Sequence, residues 1–408
     1  MKKILVYSHD TFGLGNIRRM LAISQHLVAC DPETCVLIAS GSPMLHAFRL
    51  APRLDYLKLP CLTRNLDGEY TTKSLGLDVE RTLRLRANLL LSAVLDFEPD
   101  LILVDKKPYG VGNELRPALE LSQRRAERPR LVLLLRDILD SPDATISVWQ
   151  KNGYHDAIQA LYDMVLVVGS PEIFDIREEY RFPSASAAKV RYCGFIGRER
   201  GRQSRADLRS QLSIGSSDKL VLITPGGEDG AHICGAYLRA WPRNRSLPSI
   251  TARSAGFELP ARQRERIASF AAQTPRVTIL EFTDDMMGCM EAADVVVSMA
   301  GYNTICELLT LKKRAITVPR IAPVQEQWIR AQRMMAKGLL RAIHPAQLTP
   351  QRLIATVREE TAKCNVHPRG WYQVDLNGLH RIAEWVGDLT WRRGDPDGVR
   401  APRWAEVR

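Results

Sequence analysis

A glycine-rich turn near the start of the chain has residue types that could bind an anionic or hydroxyl-bearing ligand. Gly13, Gly15 and Asn16 stand between an apolar run and a helical pattern that begins near Ile17. Glycine lets the backbone approach a ligand closely, and a helix start offers unpaired N–H groups. A dinucleotide fingerprint would need a third glycine where Arg18 stands, so a nicotinamide or flavin oxidoreductase is disfavoured. In the alternative interpretation this is a tight strand–helix turn with Asn16 as the helix N-cap.

A second glycine turn, with Gly226 and Gly227, also lies between an apolar run and a helical pattern. This arrangement is typical of a diphosphate cradle at a helix N-terminus. The turn lacks the Lys-Ser/Thr pair of a Walker A loop, which argues against ATP hydrolysis. Glu228 and Asp229 would repel a diphosphate, and in the alternative interpretation Asp229 caps the helix.

A third candidate site follows a valine-rich run and opens another helical pattern. It contains Ser298, Gly301, Asn303 and Thr304, with Glu307 about one turn further on. Gly301 and Thr304 would bring helix N–H groups to a phosphate. The Glu307 carboxylate could accept hydrogen bonds from both hydroxyls of a ribose. Its alternative role is to complement the helix dipole.

Glu326 and Gln327 open a further helical pattern, just after the next predicted strand and Pro319. Carboxylate and amide groups at this place could hold sugar hydroxyls. A polar helix start without a ligand would have the same sequence.

These candidates are positioned by short apolar runs that alternate with longer helical patterns. Runs of this length, rich in Val, Ile and Leu, are typical of buried parallel strands in βαβ units. The predicted strands are Lys3–Ser8, Cys35–Ala39, Leu101–Asp105, Leu131–Leu135, Met164–Val168, Leu220–Thr224, Val277–Leu280, Asp294–Ser298 and Ala315–Val318. Ligands bind beyond the carboxyl ends of such strands, which is where the candidates lie. The pattern breaks near Gly197, where we predict a domain boundary.

Length and composition indicate a globular α/β protein of two domains. The chain has 408 residues, 45% of them hydrophobic, and a formal net charge of +11. The basic residues are spread along the sequence without zinc-finger spacing or aromatic interleaving, so we expect no nucleic-acid partner. No apolar run is long enough to span a membrane. We therefore expect a cytoplasmic protein.

Together the motifs resemble the GT-B glycosyltransferases, and most closely family 28, which includes the lipid-intermediate N-acetylglucosaminyltransferases of bacterial peptidoglycan synthesis. The segment from Ser298 through Gly301 to Glu307 and on to Gln327 is the most specific part of this resemblance. The first turn is similar to that of a branch of predicted glycosyltransferases rather than to the peptidoglycan enzyme.

The resemblance implies a GT-B fold, with two facing Rossmann-like domains that have parallel sheets and an interdomain cleft. Residues 1–197 would bind the acceptor and residues 198–375 the nucleotide-sugar. A helix at 376–391 would cross back to the first domain, and 392–408 would form a mobile tail.

The resemblance also implies roles for the candidate residues. Glu307 would contact the ribose, the turns at Gly226 and Gly301 would lie near the diphosphate, and Glu326 and Gln327 would contact the donor sugar. The donor would be a nucleotide-sugar, with UDP as the expected nucleotide, bound as a substrate. No metal or other cofactor is implied.

The resemblance leaves the catalytic base open, because Asn16 stands where the family's first turn usually carries His and an amide cannot titrate. An inverting transfer needs a base for the acceptor hydroxyl and stabilisation of the departing diphosphate. His9 and Asp10 are the nearest candidates, and Asp105 and Asp137 are alternates that end or follow other strands. Histidine needs little tuning to act near neutral pH.

Three function classes stay open from the sequence. The first is a hexosyltransferase acting on a small-molecule or lipid-linked acceptor. The second is a nucleotide-sugar 2-epimerase of the same fold, and the third is a non-catalytic nucleotide-sugar-binding protein. Arg81, Arg84 and Arg86 lie among leucines and could form a peripheral contact with the inner face of an anionic membrane. In the alternative those leucines are the buried stripe of a core helix.

Overall fold

The protein, for which we use a computed structural model, divides into two compact units. Unit 1 comprises Met1–Phe195 and Asn377–Arg408, and unit 2 comprises Ile196–Leu376. The structure describes residues 1–9, 15–64, 69–224, 230–240, 249–254, 265, 269, 276–363, 371 and 373–391.

Unit 1 is a parallel α/β unit. Its strands are β1 (Lys2–Ser8), β2 (Thr34–Ser40), β3 (Leu54–Lys58), β4 (Leu62–Arg64), β5 (Tyr70–Thr72), β6 (Leu101–Asp105), β7 (Arg130–Arg136), β8 (Met164–Val168) and β9 (Val190–Tyr192). Its helices are α1 (Gly15–Cys30), α2 (Val79–Phe97), α3 (Arg116–Gln123), α4 (Pro142–Lys151), α5 (Tyr154–Leu161), α6 (Ile176–Glu179) and α7 (Ser184–Ala187), together with the last helix of the chain. Strands β4 and β5 form a separate antiparallel hairpin, and the others form one sheet in the order β3-β2-β1-β6-β7-β8-β9.

Unit 2 repeats this plan with a second parallel sheet. Its strands are β10 (Val221–Thr224), β11 (Ser249–Ser254), β12 (Val277–Thr283), β13 (Val295–Ser298), β14 (Ala315–Thr317) and β15 (Arg341–Ala342), in the order β12-β11-β10-β13-β14-β15. Its described helices are α8 (Arg205–Gln211), α9 (Ala231–Ala240), α10 (Met286–Ala292), α11 (Tyr302–Thr310), α12 (Glu326–Ala336) and α13 (Pro350–Ala362). The last described helix, α14 (Gly378–Trp391), contacts α1 and so belongs to unit 1.

The central strands are buried on both faces, which explains why their sequences are continuous apolar runs. Every residue of β6 and β8 is buried, as is every residue of β13. Helices on both sides of a parallel sheet produce this pattern. Both sheets are therefore doubly wound Rossmann-like sheets, as the sequence predicts.

Each sheet has one point where the strand order reverses, and this point locates its ligand-binding crevice. In unit 1 the reversal lies between β1 and β6, so the crevice is expected beside His9 and Asp105. In unit 2 it lies between β10 and β13, beside Thr224 and Ser298. The candidate residues thus follow strands on either side of the two reversal points.

Each of the nine predicted strands is present. The ends of eight of them differ from the prediction by one residue or less, and the strand predicted at Val277–Leu280 extends to Thr283. Several strands were not predicted. Strands β3, β9 and β15 lie at sheet edges, where one side of the strand has no neighbour to pair with, and β11 is too polar to form an apolar run. In the part of the chain that the structure describes, no helix is both long and apolar enough to cross a membrane.

Candidate functional site

His9 follows β1 and is held by side chains on both sides of its backbone. Its N–H donates to Asp105 Oδ2 at 3.3 Å, and its carbonyl oxygen accepts from Asn16 Nδ2 at 2.5 Å. Both of these side chains are bound by Arg19, whose Nη2 lies 2.6 Å from Asp105 Oδ1 and 3.3 Å from Asn16 Oδ1. A closed ring of contacts therefore fixes the backbone of His9.

Asp105 and Asn16 have different contacts in this ring. Asp105 is fully buried and uses both carboxylate oxygens within the ring. Asn16 is the second residue of α1, so the interpretation of Asn16 as the helix N-cap is wrong. Its side chain instead binds the carbonyl of His9. The structure thus gives Asp105 and Asn16 contacts that hold the backbone of His9.

Asp137 lies one strand further along the same edge. It follows β7, which pairs with β6, and its side chain is buried. Gly169, the residue after β8, packs directly on Asp137, since a Cβ atom on this glycine would come within 2.7 Å of Asp137 Cβ. The structure therefore brings His9 and Asp105 into contact, and places Asp137 on the neighbouring strand.

The proposed basic-apolar surface on α2 needs correction at Arg86. Its side chain is buried and forms a bidentate ion pair with Glu114, in which Nε lies 2.5 Å from Oε2 and Nη2 lies 2.6 Å from Oε1. Arg86 is therefore a core residue and contributes no charge to the surface. Arg81 and Arg84 are exposed, and Leu85 is 41% exposed.

In unit 2, Ser298 and Gly301 lie at the predicted turn between β13 and α11. The Ser298 side chain is fully buried, and among the described residues its Oγ has no hydrogen-bond partner. Gly301 is the N-cap of α11 with φ −65° and ψ 146°, a conformation open to any residue. A Cβ atom added to Gly301 would meet no described atom within 4 Å. The packing of the described residues therefore does not require glycine at this position.

Arg198 is a residue of this site that the sequence analysis missed. Its Nη2 donates to Asn303 Oδ1 at 2.8 Å, which places the guanidinium at the first turn of α11. Its own backbone N–H is fixed by Thr310 Oγ1 at 3.1 Å. Among the described residues its Nε is buried without a hydrogen-bond partner. A guanidinium beside the positive N-terminal end of a helix is electrostatically unfavourable. An anion bound between the guanidinium and the helix N–H groups would remove this repulsion.

Glu307 is buried in the same helix, and Glu326 and Gln327 are buried at the start of α12, where both make side-chain contacts. Glu326 accepts from Arg330 Nη2 at 3.4 Å, and Gln327 Oε1 accepts from the Arg320 N–H at 3.1 Å. Arg330, also missed by the sequence analysis, is fully buried and donates to the Ala300 carbonyl at 2.8 Å. It therefore ties the start of α12 to the residue before Gly301. The only sequence signal for Arg330 was its spacing of four from Glu326.

Asp10, Gly13, Gly226 and Gly227 lie outside the described residues, as does the predicted tail at 392–408. Gly15 is the first residue of α1, and Thr304 is the third residue of α11. Within the described ranges, no group of three or more His, Cys, Asp or Glu side chains is arranged to hold a metal ion.

The two doubly wound units define a GT-B fold, the fold of two Rossmann-like domains found in many glycosyltransferases. Solved structures of this class match nearly the whole chain. MurG of Acinetobacter baumannii aligns with a TM-score of 0.60 and 14% identity, over 95% of this chain and 100% of its own. The Medicago truncatula protein UGT71G1, complexed with UDP-glucose, aligns with a TM-score of 0.64 and 11% identity, over 95% and 98%.

Within this class, unit 2 is similar to family 28. Residues 258–367 match the glycosyltransferase family 28 C-terminal domain. The UDP-N-acetylglucosamine–N-acetylmuramyl-(pentapeptide) pyrophosphoryl-undecaprenol N-acetylglucosamine transferase of Pasteurella multocida is 27% identical over 155 residues, which is 36% of this chain. The match spans 41% of the length of that relative. Unit 2 is thus similar to the family 28 C-terminal domain, within a chain that has a GT-B fold.

Proposed function

We propose that this protein is a glycosyltransferase that moves a sugar from a nucleotide-diphosphate sugar to an acceptor hydroxyl, with inversion at the anomeric carbon. Unit 2 binds the donor in this proposal, with UDP as the nucleotide. Unit 1 binds the acceptor and supplies the base. The acceptor is a small molecule or is linked to a lipid, and the protein works in the cytoplasm.

The observation that carries the proposal is the open N-terminus of α11. No described atom lies within 4 Å of the place that a Cβ of Gly301 would occupy, so the described residues leave space beside the first turn of the helix. The Arg198 guanidinium is held beside the same helix turn by Asn303. Helix N–H groups and a guanidinium together suit a diphosphate, whose negative charge grows as the sugar departs. In this proposal Glu307, about one turn further along the helix, accepts hydrogen bonds from the ribose hydroxyls.

The residues of unit 1 supply the other half of the proposed reaction. The acceptor hydroxyl must lose a proton as it attacks the anomeric carbon, and the proton passes to a general base. Histidine is the residue that most often acts as a general base, and His9 has this role in the proposal. Asp105, Asn16 and Arg19 hold its backbone in place, so that they act as positioning residues.

The test is a thermal-shift screen with a panel of nucleotide-sugars, followed by incubation of the best ligand with and without candidate acceptors. A glycosyltransferase releases the nucleotide only when an acceptor is present. An epimerase converts the sugar without an acceptor, and a sensor binds without any turnover. If no nucleotide-sugar raises the melting temperature, the proposal fails at the donor site.

Peripheral membrane contact is a separate part of the proposal and concerns one face of α2. The exposed side chains of Arg81, Arg84 and Leu85 would contact an anionic lipid surface. Co-sedimentation with vesicles should increase with anionic lipid and decrease with salt. Sedimentation that is independent of both would remove this contact without affecting the donor site.

A further inference from the structure

We propose that Arg330 is a positioning residue of the donor site, which turns the Gly301 N–H outwards for the donor phosphate and fixes Glu326 for the donor sugar. Its side chain lies on α12 and is fully buried, so it acts through the groups that it binds and not by contact with the donor. This role rests on the proposed function, in which the donor lies at the start of α11, and adds the residue that orients the groups proposed to bind it.

The Arg330 guanidinium binds two segments of unit 2 at once. Its Nη1 donates to the Ala300 carbonyl at 2.8 Å, and its Nη2 donates to Glu326 Oε2 at 3.4 Å. The guanidinium carbon also lies 5.9 Å from the centre of the Tyr302 ring, within the range of a cation–π contact. A guanidinium carries its N–H groups in a rigid planar fork, so the two segments are held at a fixed spacing.

The contact with Ala300 determines the direction of the next N–H group. The Ala300 carbonyl and the Gly301 N–H belong to one planar trans peptide unit, in which the two groups point in opposite directions. Ala300 and Arg330 are both fully buried, so the carbonyl points into the unit and the Gly301 N–H points away from the guanidinium. The described residues leave space at Gly301, where a phosphate would accept a hydrogen bond from this N–H.

Gly301 does not fix this direction by itself. Glycine adopts positive and negative φ about equally readily, so the peptide unit between Ala300 and Gly301 could rotate until its carbonyl faced outwards. A carbonyl oxygen is only an acceptor and would make no hydrogen bond to a phosphate oxygen. The hydrogen bond from Arg330 therefore selects the orientation, with a φ of −65° at Gly301, that a phosphate needs.

The contact with Glu326 fixes the second segment. The Glu326 residue is 4% exposed, and a carboxylate buried to this extent needs a cation and hydrogen bonds to stay ionised. Arg330, one helical turn further along α12, supplies both. Because the same guanidinium binds the Ala300 carbonyl, the proposed sugar contact and the proposed phosphate turn depend on one buried side chain.

Two unpaired buried groups are independent evidence that this turn binds a polar ligand. Ser298, three residues before Gly301, is fully buried, and among the described residues its Oγ has no hydrogen-bond partner. The same is true of the buried Nε of Arg198, whose guanidinium lies at the first turn of α11. Unpaired buried polar groups are costly and rare in folded proteins. Arg330 thus orients a peptide at a turn where other polar groups also await a partner.

The test compares UDP with uridine, both titrated by calorimetry into the full-length wild type and Arg330→Gln. UDP should bind at least about tenfold more weakly to the variant, the value of one hydrogen bond to a charged group. Uridine, which has no phosphate, should bind equally to both proteins. Arg209→Gln is the matched control and should leave UDP affinity unchanged. Arg209 is also a buried arginine of unit 2, with Nη1 3.2 Å from the Ala292 carbonyl and 3.3 Å from Asp294 Oδ2.

A double variant, Arg330→Gln with Glu326→Gln, keeps the test valid if the single variant does not fold, because it leaves no buried carboxylate without its cation. UDP has no sugar and in the proposal does not touch residue 326, so the double variant should lose UDP affinity to the same extent. The role of Arg330 is rejected if a folded variant binds UDP as tightly as the wild type, if UDP and uridine weaken equally, or if Arg209→Gln weakens UDP as much. Wild type that does not bind UDP would instead reject the donor site, and the role of Arg330 with it.

Discussion

Arg19 and Asp105 form a buried ion pair in unit 1, with 2.6 Å between Arg19 Nη2 and Asp105 Oδ1 and side chains only 2% and 1% exposed. The pair joins α1 to the end of β6 across 86 residues of sequence. Because both partners also bind the segment around His9, the pair connects the stability of unit 1 with the position of the proposed base.

The first prediction concerns this pair. Arg19→Met or Asp105→Asn alone should lower the free energy of unfolding by about 3–5 kcal/mol, because each leaves the other group buried without its partner. The double variant Arg19→Met with Asp105→Asn should be less destabilised than the sum of the two single variants. Urea unfolding of all four proteins gives the coupling energy. Simple additivity would show that the two side chains do not depend on each other.

His9 provides the second prediction. His9→Ala should reduce turnover by about a hundredfold or more, the usual effect of losing a general base. Donor affinity should remain, since the residues proposed to bind the donor belong to unit 2. Steady-state kinetics and a separate donor titration measure the two quantities. A His9→Ala variant that turns over as fast as the wild type would show that His9 is not the base, and Asp137 would be tested next.

The third prediction tests the open space at Gly301. Gly301→Ala should change the free energy of unfolding by less than about 0.5 kcal/mol, because the backbone angles suit alanine and no described atom is close. Donor affinity should decrease at least about tenfold if the diphosphate occupies this space. Gly215→Ala, elsewhere in unit 2, should affect neither quantity. Unchanged donor affinity in Gly301→Ala would place the donor away from this turn.

The fourth prediction tests whether Arg198 contacts the diphosphate or the nucleoside of the donor. Arg198→Ala should weaken UDP binding by about ten- to a hundredfold, the range expected for a charge-assisted hydrogen bond. Uridine, which has no phosphate, should bind equally well to the variant and the wild type. Arg200→Ala is the control, because Arg200 is exposed and pairs with Glu291 at 3.0 Å. Equal losses for UDP and uridine would contradict a diphosphate contact.

The fifth prediction is a pH dependence of stability in unit 1. His155 packs against Trp149 and Phe182, with ring centroids 5.1 Å and 4.9 Å away, and burial lowers its pKa below the ordinary value. The unfolded chain therefore takes up this proton at a higher pH than the folded chain. Stability should fall as the pH drops through the unfolded pKa, near 6.5.

His155→Phe should remove that part of the decrease. The measurement is the free energy of unfolding at pH 7.5 and pH 5.5 for both proteins. Phe182→Leu keeps the imidazole but removes part of the ring packing around it, so its pH dependence should lie between those of the wild type and His155→Phe. An identical pH dependence in wild type and His155→Phe would show that the ring environment is not responsible.

The sequence predicted the sheets well because buried parallel strands need apolar residues on both faces. It also placed Ser298 and Gly301 correctly at a strand–helix turn, since glycine turns follow strands in this fold. It did not reveal Arg19 or Arg198. Their partners are 86 and 105 residues away, and arginine on a helix or in a linker has no local signal of burial.

The same reason explains the errors at Asn16 and Arg86. An asparagine before an apolar pattern is typical of an N-cap, and an arginine among leucines is typical of a surface. In the structure each side chain binds a group outside its own helical pattern: Asn16 binds the His9 carbonyl, seven residues earlier, and Arg86 binds Glu114, 28 residues later. Local patterns therefore located the candidate sites, whereas tertiary contacts determined the roles of these polar side chains.

Helix α14 comes last in the chain but belongs to unit 1, so unit 2 is inserted between two parts of its neighbour. During synthesis, unit 2 is therefore complete as soon as its residues leave the ribosome, while unit 1 must wait for the final helix. The order of completion is the reverse of the order of synthesis. A chain that stops at residue 376 would have all of unit 2 and a first unit with α1 uncovered where α14 should pack.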